Sequence, residues 1–196
     1  SNGIRIYHSA DNNITNNNVS VSTDYGIRIF TSSDNTITNN DIYAESHGIY
    51  VYSGSNNIIS YNNVESNFRY GIYLWSSSNN IINNNIYVGD EYGIYLSENS
   101  DTTITDNNIS TLRSGIFIDL SSDNNTFINN NITATDSNLI FDKANTDYDN
   151  YLIYNNSFGQ ISWLDTENLT IEENGTLALG VNPIIENNSI YLNTSA

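Results

Sequence analysis

The chain contains no cysteine, no methionine and one proline, Pro183. Without cysteine there are no disulfides and no thiolate metal ligands. Cationic residues are nearly as scarce. Arg5, Arg28, Arg69, Arg113 and Lys143 are the only five, against 22 acidic residues, for a formal net charge of −17. That balance excludes the dense Lys/Arg surface through which proteins hold nucleic acid, and it argues equally against an anionic membrane surface. No apolar run approaches the ~18 residues of a membrane-spanning helix, and no signal-peptide pattern opens the chain. Strong helix formers are few. The first residue is Ser1, already inside a repeat, as expected of a processed product or a fragment of something longer.

Asparagine is what the chain has in excess, at roughly a fifth of its residues, and Ile, Val, Thr and Tyr supply strand formers. A length of 196 residues suits one domain. The organisation is a repeat. Glycines at Gly3, Gly26, Gly48, Gly71, Gly93 and Gly115 are each followed by isoleucine: Ile4, Ile27, Ile49, Ile72, Ile94 and Ile116. Two residues later comes a second aliphatic: Ile6, Ile29, Val51, Leu74, Leu96 and Ile118. A second half-motif keeps the same step, as Ile14/Val19, Ile37/Ile42, Ile59/Val64, Ile81/Ile86, Ile104/Ile109, Phe127/Ile132 and Ile153/Phe158. Two residues before each second member stands asparagine: Asn17, Asn40, Asn62, Asn84, Asn107, Asn130 and Asn156.

A period of 22–23 residues with short alternating apolar runs and no helical stretch predicts an all-β solenoid, a single-stranded parallel β-helix of about seven clear coils. Leucine-rich repeats share the length range but need more leucine. Coils stacked at ~4.8 Å turn equivalent residues into ladders. The aliphatic columns then fill the core. The asparagine column is expected at bends, tolerating left-handed backbone angles and bonding amide to amide between coils. The glycine column marks the entry to a strand, through positive φ or close packing.

Residues 1–158 read as regular coils and 159–196 as divergent coils or a cap of the same domain. Asn138-Leu139-Ile140-Phe141 replaces Gly-Ile-x-Ile, Gln160-Ile161-Ser162-Trp163 keeps the step, and Ile184 continues it. Leu169/Ile171 and Leu177/Leu179 read as two further strands around an Asn174-Gly175 turn.

The periodic Gly-Ile-x-Ile with Asn-Asn-x-Ile resembles the right-handed parallel β-helix repeat of the NosD-like, carbohydrate-binding and sugar-hydrolysis type. Such repeats occur in archaeal and bacterial surface or secreted proteins. The resemblance implies right-handedness and an extracellular or cell-surface location. It transfers no single activity, because lyases, hydrolases, epimerases and adhesins share the repeat.

Function is therefore sought on the outward side of the Gly-Ile strand, where alternation places three columns. These are Arg5, Arg28, Tyr50, Tyr73, Tyr95, Phe117; then Tyr7, Phe30, Tyr52, Trp75, Ser97, Asp119; then Tyr25, His47, Tyr70, Tyr92, Ser114. The predicted ligand-binding wall is Tyr50, Tyr52, Tyr70, Tyr73, Trp75, Tyr92 and Tyr95, flanked by Arg28 and Arg69. Aromatic faces suit stacking on sugar rings, although tyrosine ladders also stabilise strands with no ligand at all. Polygalacturonase-like motifs are absent, and Glu91, Glu98, Arg113 and Asp119 form the nearest catalytic constellation to a lyase or hydrolase. His8 and His47 lie two coils apart and suit no copper site. Calcium is the metal the composition allows, at Asp11-Asn12-Asn13, Asp34-Asn35, Asp123-Asn124 or Asp147 to Asn150. Ten Asn-x-Ser/Thr sequons, Asn108, Asn131 and Asn168 among them, are close to the number that chance supplies.

The expected function is a non-catalytic extracellular module, structural or adhesive, that contacts a glycan or cell-surface partner through the Tyr/Trp face. The alternatives are a fragment of a polysaccharide-active enzyme and a subunit of an end-to-end filament.

Overall fold

The computed structural model describes residues 3–119, 122, 125–135, 139–142, 152–154, 160–163 and 184–186, the last four segments as backbone alone. Each coil is built from three short strands. The first has Ile4–Tyr7, Asn13–Thr15 and Asn18–Val21; the second has Tyr25–Phe30, Thr36–Thr38 and Asp41–Ala44. Among the described residues all pairings run parallel from coil to coil, giving sheets of nine, seven and six strands. Among the described residues six coils carry all three strands. A seventh has Leu139–Asp142 and Leu152–Tyr154 among the described residues, close to the count the repeat predicts.

Register follows the repeat residue by residue. Ile72 pairs with Ile49 and Ile94, and Ile81 with Ile59 and Ile104. The divergent Leu139 pairs with Ile116 and then with Ile161, as the spacing predicts. One step slips: Ile161 pairs with Ile185, not Ile184, so the last described strand is offset by one residue. The strands expected near Leu169 and Leu177, the Asn174-Gly175 turn and Asn156 lie outside the described residues.

The core is a triangular column of aliphatics. Ile29, Val51 and Leu74 come from the first sheet, Ile37, Ile59 and Ile81 from the second, and Ile42, Val64 and Ile86 from the third; all are buried. Each such side chain contributes about 1.5–3 kcal/mol by leaving water. The glycine column exists because this core is narrow. A Cβ on Gly48 would lie 2.2 Å from Val64 Cγ1 and 2.6 Å from the Gly71 carbonyl oxygen. No glycine among the described residues has positive φ, so of the two expected reasons only close packing operates.

The asparagine column needs a second correction. Asn40 and Asn62 do not take left-handed angles; the residues before them do, as at Asn16, Asn39, Tyr61, Asn83, Asp106 and Asn129. That shift leaves the ladder asparagines free to turn their amides inward. Asn62 Nδ2 donates to Asn84 Oδ1 at 3.0 Å and to the Ile37 carbonyl at 2.9 Å, while its Oδ1 accepts from Asn40 N and Nδ2 at 3.0 and 2.9 Å. One residue therefore ties three coils together. The same pattern runs from Asn17 to Asn130. Among the described residues no helix is long and apolar enough to cross a membrane.

Candidate functional site

The first sheet brings the predicted aromatic columns together. Tyr7, Phe30 and Tyr52 stack at centroid distances of 5.1 and 4.7 Å, and Trp75 meets Tyr52 edge-on at 5.2 Å. In the next column Tyr50 meets Tyr73 at 4.9 Å, Tyr73 meets Tyr95 at 5.1 Å, and Tyr95 stacks on Phe117 at 5.2 Å. The third column crosses into the second: Tyr25 stacks on Tyr50 at 5.0 Å, Tyr70 on Tyr95 at 4.6 Å and Tyr92 on Phe117 at 4.5 Å. Offset and edge-to-face ring pairs contribute about 0.5–1.5 kcal/mol each beyond burial. In-register parallel pairing imposes this arrangement, since any side chain repeated at the coil period must stack on its copy.

The wall is not uniformly open, which the sequence reading did not anticipate. Tyr50 is only 6% exposed, and His47 and Phe117 are likewise buried by neighbouring rings. Tyr52, Tyr70, Tyr73, Tyr92 and Tyr95 are half-buried. Trp75, at 37%, and Tyr7, at 50%, are the open aromatic surfaces of the face.

Electrostatics follow from that covering. Burial, followed by neighbouring Tyr25, pushes the Tyr50 hydroxyl up to about 12. Burial and then Glu91 push Tyr70 up to about 12. Burial raises Tyr73 as well, with Tyr50 and Tyr70 adding to it. Tyr95 is raised by burial and then by its hydrogen bond to Asp119, whose Oδ2 accepts from the Tyr95 hydroxyl. These phenols stay protonated at neutral pH. His47 moves the other way, down to about 4, because burial and then the Arg69 charge disfavour the imidazolium. Its Nδ1 shares a hydrogen bond with Ser46 Oγ at 2.8 Å.

Charged side chains line this face. Arg5 lies over the Tyr7 ring at 4.9 Å, and Arg28 lies against Tyr25, Phe30 and Tyr50 at 5.1, 5.5 and 5.7 Å. Glu91 and Asp119 stand on later coils, engaged by Tyr70 and Tyr95 respectively. Of the other two residues of the candidate catalytic constellation, Glu98 sits exposed at a positive-φ turn and Arg113 is exposed before Ser114.

For a metal, no three His, Asp or Glu side chains converge among the described residues. At the turns considered for calcium, the Asn12 and Asn35 amides belong to a ladder, and Asp34 Oδ1 accepts from Asn56 Nδ2 at 3.2 Å. Asp123-Asn124 and the 147–150 turn lie outside the described residues.

That ladder is a feature the sequence reading missed. Asn12, Asn35, Asn57 and Asn79 bond in series at 2.8 to 2.9 Å through their amides, and Thr102 and Asn125 carry the column on through backbone N–H bonds. Its signal was present: each of these residues precedes the first aliphatic of the second half-motif by two, as Asn17 precedes Val19.

One solved structure shares the architecture at TM-score 0.65 and 20% identity, a double mutant of the periplasmic alginate epimerase AlgG, with 94% of this chain and 47% of that one covered. The chain thus spans about half the length of that protein, and the likeness is one of fold. No curated protein matches the sequence. Residues 2–174 match the model described as the right handed beta helix region, and the chain belongs to that family.

Proposed function

We propose that this β-helix is an extracellular polysaccharide-binding module that uses the first-sheet aromatic face as its contact surface and performs no chemistry of its own. The observation that carries the reading is the continuous ring surface from Tyr7 to Phe117, with Trp75 open at its centre. Half-buried rings held by their neighbours lose little freedom when a ligand settles on them, which lowers the entropic cost of binding. The raised Tyr73 pKa supports binding over base catalysis, because a phenol that stays protonated is a hydrogen-bond donor and a poor general base. Trp75→Ala combined with Tyr52→Ala should abolish retention on polysaccharide gels while the circular dichroism of the coils is unchanged. Retention equal to that of the parent protein would remove the reading.

A second reading, a polysaccharide-active lyase, hydrolase or epimerase, has one observation in its favour. Tyr95 and Asp119 form a hydrogen-bonded acid pair on the same face, beside Tyr73. New reducing ends, unsaturated products or a changed uronate ratio after incubation with polysaccharide, lost in Asp119→Asn, would establish it in place of the first.

A further inference from the structure

The early coils bring two like charges together on the aromatic face. Arg5 and Arg28 are direct cross-strand partners in a parallel ladder. Like charges directly opposite each other destabilise a sheet. A chain with five cationic residues has nevertheless placed two of them there. The contacts that hold both guanidinium groups are ring faces: Tyr7 for Arg5, and Tyr25, Phe30 and Tyr50 for Arg28. Arg28 Nε is buried and makes no hydrogen bond, the only such atom on this face among the described residues. Arg69, exposed two coils on, lies close enough to His47 and Tyr70 to alter both electrostatically. Three of the five cations thus stand along the early and middle coils of a strongly acidic protein, and Arg113 holds the place of Arg69 two coils further on.

We infer that Arg5 and Arg28 form an anion subsite at the early-coil end of the aromatic face, and that the polymer bound there is an acidic polysaccharide, carrying carboxylate or sulfate groups. The inference rests on the polysaccharide-binding reading of that face. Guanidinium forks match the geometry of carboxylate and sulfate oxygens, and stacking on rings fixes the fork in advance. Adjacent coils repeat at ~4.8 Å, so the two forks lie in line with the solenoid axis. A polymer running along that axis would meet the arginines first and the rings of Tyr52 and Trp75 next. The net charge of −17 does not oppose this, because at physiological salt charges beyond about 8 Å are largely screened and the local pair decides.

The test measures binding of the full chain to two charged and neutral pairs: polygalacturonate against its fully methyl-esterified form, and dextran sulfate against dextran. The parent protein should bind at least one charged polymer roughly tenfold or more tighter than its neutral counterpart, and that advantage should shrink as salt rises. Arg28→Gln with Arg5→Gln should erase it, with the near-ultraviolet ring spectrum retained. If the double variant fails to fold, Arg5→Gln alone, at an exposed position, should reduce the advantage. Asn85→Ala, on the third sheet, should leave it intact. Preference for one charged polymer identifies the anionic group, and binding to both supports the shared chemistry. Equal binding to charged and neutral partners overturns the subsite and leaves the aromatic face standing. Binding to none of the four overturns both.

Discussion

Two asparagine columns run side by side through this molecule, one residue apart in the chain. Asn40, Asn62, Asn84, Asn107 and Asn130 are buried, and each of the first four donates its amide to the asparagine of the next coil. Asn63, Asn85, Asn108 and Asn131 are exposed on the third sheet, and each donates toward the earlier coil, ending on the Asp41 carboxylate. The bond lengths are alike, near 2.8 to 3.0 Å. Their worth is not, because water replaces a lost bond outside and nothing replaces it inside. The same division runs through the aromatic face, where Tyr50 and His47 are covered and Trp75 is open. Residues with the same chemistry are structural where they are buried and available for contact where they are not.

The largest expected effect breaks the buried column. Asn62→Ala deprives Asn40 N, Asn40 Nδ2, Asn84 Oδ1 and the Ile37 carbonyl of a partner at once. It should cost about 3 kcal/mol or more in urea unfolding, and a loss below about 1 kcal/mol would contradict the role assigned to that column.

Next comes the covered histidine. His47 has a folded-state pKa of about 4 against an ordinary 6.5. As pH falls, the unfolded chain binds a proton that the folded chain refuses, so the stability this neutral ring allows is complete above pH 6.5 and declines between 6.5 and 4. The loss should be at most roughly 3 kcal/mol. His47→Phe should flatten that part of the profile in denaturation series near pH 7.5 and about pH 5. An unchanged slope would show that the ring is not covered in solution.

A smaller effect repairs a column. Thr102 stands where the second ladder would place an asparagine, and it leaves Asn79 Nδ2 buried without a partner. Thr102→Asn restores the acceptor and should raise stability by about 1 kcal/mol; a decrease would mean the corner has no room for the amide. The smallest effect is the exposed control. Asn85→Ala should change stability by less than about 0.5 kcal/mol, and a larger loss would erase the distinction between the two columns.

How much was legible follows from the period. Coil length, the aliphatic core and the pairing of Ile72 with Ile49 and Ile94 came directly from spacing, because parallel in-register stacking turns sequence period into spatial contact. The tyrosine columns were legible for the same reason. The left-handed corner residues were not, since Asn39 and Asn40 are identical in type and only the path of the backbone assigns one to the turn and the other to the core. The slip at Ile185 was equally hidden, because a one-residue offset between two adjacent isoleucines leaves the pattern unchanged.

The sequence by itself determined a parallel β-solenoid, its coil length and the identity of every column, because those depend only on a repeat and on which residues want to leave water. The tertiary structure decided which members of each column are covered, which way the amide ladders point, and that Arg5 and Arg28 stand against rings at one end of the face. Those properties depend on rotamers and neighbours two coils away, and a period carries no information about either.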